Sequence, residues 1–138
     1  MALILDTGPL LAALDAADPD HEPCAALVTE ASEDLVVPAL VLAELDYWCA
    51  RRLTLDAWLV FLDDVEAGTY RVEPPAAADL RRCRGLQEKY RSLELGLVDA
   101  SVIALAERLG EPKVATLDQR HFRAVRPAHV EALQLLPR

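Results

Sequence analysis

No lysine or arginine occurs in the first fifty residues, which carry ten aspartates and glutamates; residues 51–138 hold all 14 basic side chains against 13 acidic ones. The resulting formal charge of −9 argues against tight, indiscriminate binding to nucleic acid, because a general negative field repels phosphates. A local basic surface is still allowed. Arg81, Arg82, Arg84, Lys89 and Arg91 form the densest basic run, which reads equally well as a solvated helix face. Cysteine is scarce: Cys24, Cys49 and Cys83 are odd in number, far apart and without C-x-x-C spacing, so neither a disulfide framework nor a zinc site is expected. Cys49 falls in a helical pattern and reads as a small core residue. Aromatic residues make up only 5%, while Ala, Leu and Val raise the apolar share to 53%. That balance excludes a disordered chain and suits helices packed on a short sheet. Long hydrophobic runs are missing too. The longest, Leu35 to Leu45, is broken by Pro38 and Glu44, so no membrane span is expected. Met1 leads directly into an apolar segment with no basic-then-apolar leader, which gives a cytoplasmic location as the expectation. The length suits a single domain over residues 1–138, with no repeat, low-complexity tract or dividing linker.

Short apolar runs alternating with helical stretches predict an α/β fold. Strands are expected at Ala2–Leu5, Leu35–Val37, Tyr70–Glu73, Lys113–Leu117 and Leu133–Leu136. Asp6-Thr7-Gly8-Pro9 reads as a turn into a helix ending near Ala13, with proline as its opener. Asp18-Pro19 starts a second helix, through about Ala31. Pro38 opens the helix that carries Glu44. Thr54 caps a fourth, with Asp56 in its first turn, ending near Gly68. A long helix covers about Ala76 to Tyr90, and another runs from Gly96 to Gly110.

Against this background four acids stand in apolar surroundings. Asp6 closes Ala2-Leu3-Ile4-Leu5, Glu44 lies inside Val41-Leu42-Ala43-Glu44-Leu45, Asp99 opens a run through Ala104, and Asp118 follows Val114-Ala115-Thr116-Leu117. Each has a plain structural reading. Asp6 or Thr7 could cap the first helix, Asp99 would suit the dipole of its helix, and Asp118 could initiate the turn Asp118-Gln119-Arg120-His121. Glu44 is harder to explain that way, because Leu40, Val41, Tyr47 and Trp48 share its helical face and only Arg51 is a charged neighbour. Asp99 shares its face with Val102, Ile103 and Ala106, with Ser101 and Arg108 opposite. Burying several carboxylates together is costly unless a cation neutralises them. No lysine or arginine is evidently dedicated to each acid, so a divalent metal is the economical partner. Asp6 and Asp118 follow strands and so should emerge at the carboxyl edge of a parallel sheet, where such folds place their ligand crevice.

Carboxylate-held Mg²⁺ or Mn²⁺ suits phosphodiester chemistry, since it neutralises charge on phosphate oxygens and lowers the pKa of bound water. His21, His121 and His129 show no zinc spacing. His121 reads as a surface histidine close to Asp118.

The motifs Leu5-Asp6-Thr7, Val41-Leu42-Ala43-Glu44-Leu45-Asp46-Tyr47, Val98-Asp99-Ala100-Ser101 and Thr116-Leu117-Asp118-Gln119-Arg120-His121-Phe122, in this order, resemble the PIN-domain ribonucleases and in particular the VapC toxins of toxin–antitoxin modules. The resemblance implies a three-layer α/β/α sandwich with a short parallel sheet and Mg²⁺- or Mn²⁺-dependent endonucleolytic cleavage of structured RNA, tRNA or rRNA. It implies that Asp6, Glu44, Asp99 and Asp118 form the catalytic, metal-binding pocket, with Asp6 and Asp99 as principal ligands. Thr116 and Ser101 would orient the carboxylates or metal-bound water, and Arg120 and Arg123 would contact RNA or a partner. A homodimer and silencing by a VapB-type antitoxin follow by the same resemblance. Many relatives carry a further acid three residues beyond the third; here Val102 stands there. A haloacid-type phosphatase would need a second Asp where Gly8 stands, and a receiver domain would pair acids at Asp6. The alternative is a degenerate PIN-like module that binds RNA or protein without cutting.

Overall fold

Five short segments, apolar throughout only at the centre, become one all-parallel sheet in the computed structural model, which describes residues 1–138. The strands are β1 (Ala2–Leu5), β2 (Asp34–Pro38), β3 (Arg71–Glu73), β4 (Lys113–Ala115) and β5 (Gln134–Leu136), in the spatial order β3-β2-β1-β4-β5. Parallel strands are covered on both faces, and so read as continuous apolar runs. Thus all four residues of β1 are buried, as are Leu35, Val36 and Val37 of β2. Register is fixed on both sides of β1, where Ile4 stands opposite Val36 of β2 and Val114 of β4.

The connections are the helices α1 (Thr7–Leu14), α2 (His21–Thr29), α3 (Ala39–Arg52), α4 (Leu55–Glu66), α5 (Ala77–Lys89), α6 (Leu97–Leu109) and α7 (Gln119–Ala124). A 3-10 turn at Arg91–Leu93 links α5 to α6. From β1 the chain steps outward to β2 and then β3, before returning past β1 to β4. With right-handed crossovers, α1–α4 cover one face and α5–α6 the other, giving the expected α/β/α layering. No helix is long and apolar enough to cross a membrane.

Helix α6 is the centre of the packing. Ala100 to Ala106 are buried without interruption, so this helix is enclosed on all sides rather than amphipathic. The small side chains Ala100, Ser101, Ala104 and Ala106 allow that close approach. Its position is pinned to α5 by Arg82, whose Nε and Nη2 donate to the two Glu107 carboxylate oxygens at 2.7 and 2.9 Å. Arg108 Nε donates to Asp79 Oδ2 at 2.9 Å, and the same oxygen accepts from the Ala76 backbone N–H where α5 begins. A helix leaves its first N–H groups unpaired, so one buried carboxylate serves both ends of this contact.

Local expectations were met where chemistry is local. Thr54 Oγ1 accepts from Ala57 N at 3.2 Å and starts α4, and Gly110 takes the left-handed conformation (φ 68°) that ends α6. Several boundaries differ. Thr7 already belongs to α1, so no separate turn precedes it and Pro9 is its third residue. Helix α2 starts at His21 rather than Pro19 and stops at Thr29. Strand β4 ends at Ala115. The segment read as a turn at Asp118–His121 is instead the start of α7, held down by fully buried Phe122. Six residues are too few for a helix to persist alone; burial of Phe122, roughly 2–3 kcal/mol, stabilises it from outside.

Candidate active site

The sheet reverses direction of growth between β1 and β4, and there the segments that follow these two strands leave the sheet side by side. Asp6 N donates to Ala115 O at 2.9 Å, extending the ladder one residue past β1, and Thr116 N donates to Leu136 O at 2.8 Å. Asp6 and Thr116 are therefore neighbours at the carboxyl edge, at the position where open α/β sheets form their crevice.

Asp6 is 5% exposed and both its oxygens are engaged. Oδ1 accepts from Thr7 N at 2.8 Å, capping α1, while Oδ2 accepts from the Thr116 hydroxyl at 2.9 Å. The cap and the site are thus one arrangement. Thr116 is fully buried, and its Oγ1 in turn accepts from Asp118 N at 3.1 Å, so one hydroxyl fixes both Asp6 and the backbone that carries Asp118. Asp118 is the N-terminal flanking residue of α7, yet its carboxylate caps nothing, and its side chain is 46% exposed. Asp99 enters from the first turn of α6 with its side chain 23% exposed. Glu44 comes from the middle of α3.

All four acids line one open groove of ≈ 580 Å³, together with Thr7, Gly8, Leu11, Trp48, Arg52 and Leu117. No lysine or arginine forms an ion pair with any of them. Arg52, on the groove wall, reaches toward Asp18 at 4.0 Å, and Arg51 stacks over the Tyr47 ring instead of meeting Glu44. The electrostatic consequence is plain. Burial, opposed by the Thr7 and Thr116 hydrogen bonds but reinforced by Glu44 and Asp118, raises the Asp6 carboxyl to about 6. Burial and then repulsion by Asp6, Asp118 and Glu44 raise that of Asp99 to about 7, with His121 acting in the opposite direction. Protonation or a cation relieves such a cluster.

A divalent cation fits what is present. The donors are carboxylate oxygens, the preference of hard cations. The Thr7 hydroxyl, on a side chain only 4% exposed and lining the same groove, has no hydrogen-bond partner. Gly8 lets the start of α1 pack closely on Leu117, since a Cβ there would stand 3.2 Å from Leu117 Cβ.

Two expected neighbours of the site lie elsewhere. The Ser101 hydroxyl donates to Val98 O at 2.6 Å within its own helix, and the small cleft it lines is bounded by Pro38, Glu73 and Asp79, away from the groove. Arg123 Nη2 donates to Gln119 Oε1 at 2.9 Å and faces a separate cavity, whereas Arg120 is exposed without an ion pair. Glu44 does not lie on the core stripe of α3. That stripe is Val41, Leu45 and Cys49; the apolar residues beside Glu44 include Tyr47 and Trp48, which are exposed. Two groove residues, Arg52 and Trp48, have no signal in the sequence, and His121, which reads there as a surface histidine close to Asp118, stands beside the acids Asp99 and Asp118. His121 Nδ1 lies 2.8 Å from Asp118 Oδ2 and 4.0 Å from Asp99 Oδ2. The three-residue spacing from Asp118 was the available signal, but it acts only on a helix.

Comparison with known proteins agrees with this geometry. The sequence model of the PIN domain matches residues 3–127. Over 125 residues the chain is 38% identical to ribonuclease VapC26 of Mycobacterium tuberculosis, covering 91% of this chain and 93% of that one. The fold superposes on the crystal structure of VapC20 of Mycobacterium tuberculosis, described as a sarcin–ricin loop cleaving toxin, with a TM-score of 0.75 at 20% identity, covering 81% of this chain and 86% of that one. It also superposes on VapBC2 from Rickettsia felis, bound to a DNA fragment from its promoter, with a TM-score of 0.72 at 15% identity over 99% and 100% of the two chains.

Proposed function

The chain belongs to the PIN-domain family, among the VapC ribonucleases, and from that premise we propose that it is a divalent-metal-dependent endoribonuclease acting as the toxin of a two-protein toxin–antitoxin module. One observation carries the chemical part: Asp6, Glu44, Asp99 and Asp118 line a single groove at the sheet's carboxyl edge, with no lysine or arginine compensating them. Asp6, Glu44, Asp99 and Asp118 would hold Mg²⁺ or Mn²⁺. When bound, such an ion supplies charge neutralisation at the scissile phosphate and acidifies its water.

The chain's own residues do the rest. Thr116 orients Asp6 by donating to Oδ2, so that carboxylate cannot swing away when its charge is neutralised. Asp99 and Asp118 stand at the accessible side, where a carboxylate can accept a proton from attacking water. Arg52 on the wall offers a guanidinium to a phosphate beyond the scissile one, and exposed Trp48 offers a stacking surface to an unpaired base. Arg120 and Arg123 are assigned to peripheral RNA or partner contacts. With a formal charge of −9, selection of structured tRNA or rRNA rests on shape and these few contacts. The test is cleavage of total RNA by the purified protein, with the new ends sequenced. Cuts at a few defined positions that vanish in excess EDTA and return with Mg²⁺ or Mn²⁺ are expected. Equal cutting in EDTA would overturn the proposal, and no cutting with either ion would favour the non-cleaving PIN-like module.

Helix α4 supports the proposed homodimer. Its Trp58, Phe61 and Val65 pack into the core, yet Leu55, Leu59 and Leu62, at i, i+4 and i+7, form a second apolar stripe exposed by 66, 43 and 38%. A second copy or the proposed VapB-type antitoxin would cover it; we assign it to the second copy, since a stripe along one helix can pair with itself about a two-fold axis. The double substitution Leu55→Glu and Leu59→Glu is expected to convert a dimer to a monomer in sedimentation velocity with an unchanged circular dichroism spectrum. A dimer that persists would remove this surface from the interface.

A further inference from the structure

We propose, on the premise that the groove holds a divalent cation, that His121 supplies a nitrogen donor to that ion beside Asp99 and Asp118 and thereby biases the site toward Mn²⁺ over Mg²⁺. Helix geometry makes the arrangement possible. Asp118 flanks the start of α7 and His121 is its third residue, so the two side chains share one face. Asp99 arrives against that face from α6.

One donor atom from each of Asp99, Asp118 and His121 lies within 4.8 Å of the others. An octahedral ion with ligands at roughly 2.1 Å sets opposite donors about 4.2 Å apart, so fractions of an ångström separate this trio from a coordinating one. The decisive detail is the ring nitrogen. Nδ1 is buried and comes to 2.8 Å from Asp118 Oδ2, yet it makes no hydrogen bond, because the alignment is wrong for one. A histidine placed only to bind Asp118 would point an N–H at that oxygen. The other two histidines are occupied elsewhere: His21 Nδ1 meets Ala12 O at 2.8 Å and His129 Nε2 meets Glu111 O at 2.7 Å. Of the three histidines, His121 alone stands beside Asp99 and Asp118. Imidazole suits first-row transition metals, whereas Mg²⁺ favours an all-oxygen shell. A site of carboxylates plus one imidazole therefore favours Mn²⁺.

The experiment is pulsed electron paramagnetic resonance on the Mn²⁺-loaded full chain, with calorimetric titration of Mn²⁺ and Mg²⁺ into the parent and His121→Gln. Nitrogen hyperfine coupling in the parent is expected to vanish in His121→Gln, with Mn²⁺ affinity reduced at least about tenfold and Mg²⁺ affinity changed by less than about threefold. The ring is partly exposed, so His121→Gln is expected to keep the parent's circular dichroism spectrum, and the nitrogen coupling of the parent is read without any variant. Bound Mn²⁺ without nitrogen coupling, or equal loss of both affinities, would overturn histidine ligation while leaving the ribonuclease reading intact. Failure of the parent to bind either ion would overturn that reading as well.

Discussion

Asp99→Asn is expected to abolish RNA cleavage, by more than about a hundredfold, and to relieve any growth inhibition on expression, while making the metal-free protein more heat-stable than the parent. Perturbing only the groups that support a metal's ligands commonly costs 10–100-fold, so loss of a ligand should exceed that. The gain in stability comes from the same cause as the loss in function. Asp99 is held among Asp6, Asp118 and Glu44 with its carboxyl raised to about 7 by burial and repulsion, so at neutral pH its negative charge works against the fold. Asparagine keeps the size and removes the charge. Thermal unfolding in EDTA, measured beside RNA cleavage, checks both halves. A variant that loses activity because it melts earlier would assign Asp99 a structural role.

The second large effect is a pH dependence of the metal-free fold opposite to that of most acidic side chains. The ordinary carboxyl value is 3.8, against about 6 for Asp6 and about 7 for Asp99 in the native chain. Between about pH 4 and pH 7 the native state keeps protons that the unfolded chain has released. Stability contributed by those protons is fully present below the unfolded value and is lost as pH rises through the native ones. In EDTA the melting temperature should therefore fall from pH 5 to pH 7.5. Saturating Mn²⁺ should remove the decline, because a cation replaces the protons. Glu107, held low by Arg82 and the Ala128 N–H, loses its contribution only on acidification below its ordinary 4.5, outside this window. A melting temperature that rises over pH 5–7.5 without metal would contradict the description of the cluster.

How much of this was legible from residues alone depends on whether the signal was local. The strands β1 and β2 were readable because strands covered on both faces must be apolar throughout. Asp6 stood out as a charge at the end of such a run, and Asp118 beside Thr116 likewise. The left-handed Gly110 and the Thr54 cap were also local. Glu44 stands out in the sequence for its apolar helical face, yet its neighbours Tyr47 and Trp48 on that face are exposed to solvent. Periodicity reports that a helix face is apolar, not what covers it. Ser101 was placed opposite Asp99 by the helical wheel, but α6 is buried all round, and a hydroxyl in that setting turns to its own backbone. Helix α7 gives no periodic signal in six residues, so His121 reads only as a surface histidine close to Asp118, without the helix face that brings it toward Asp99. Arg52 belongs to the groove only through the packing of α3 against α1, which no spacing in the chain discloses.

The most direct measurement is anomalous diffraction at the manganese edge from crystals soaked in Mn²⁺. A peak within coordination distance of carboxylate oxygens from Asp99 and at least one of Asp6, Glu44 and Asp118 is the expected result. Crystals that show the four carboxylates in place at saturating Mn²⁺, with no peak between them or with the ion bound elsewhere, would contradict the claim that these distant acids assemble to hold a cation.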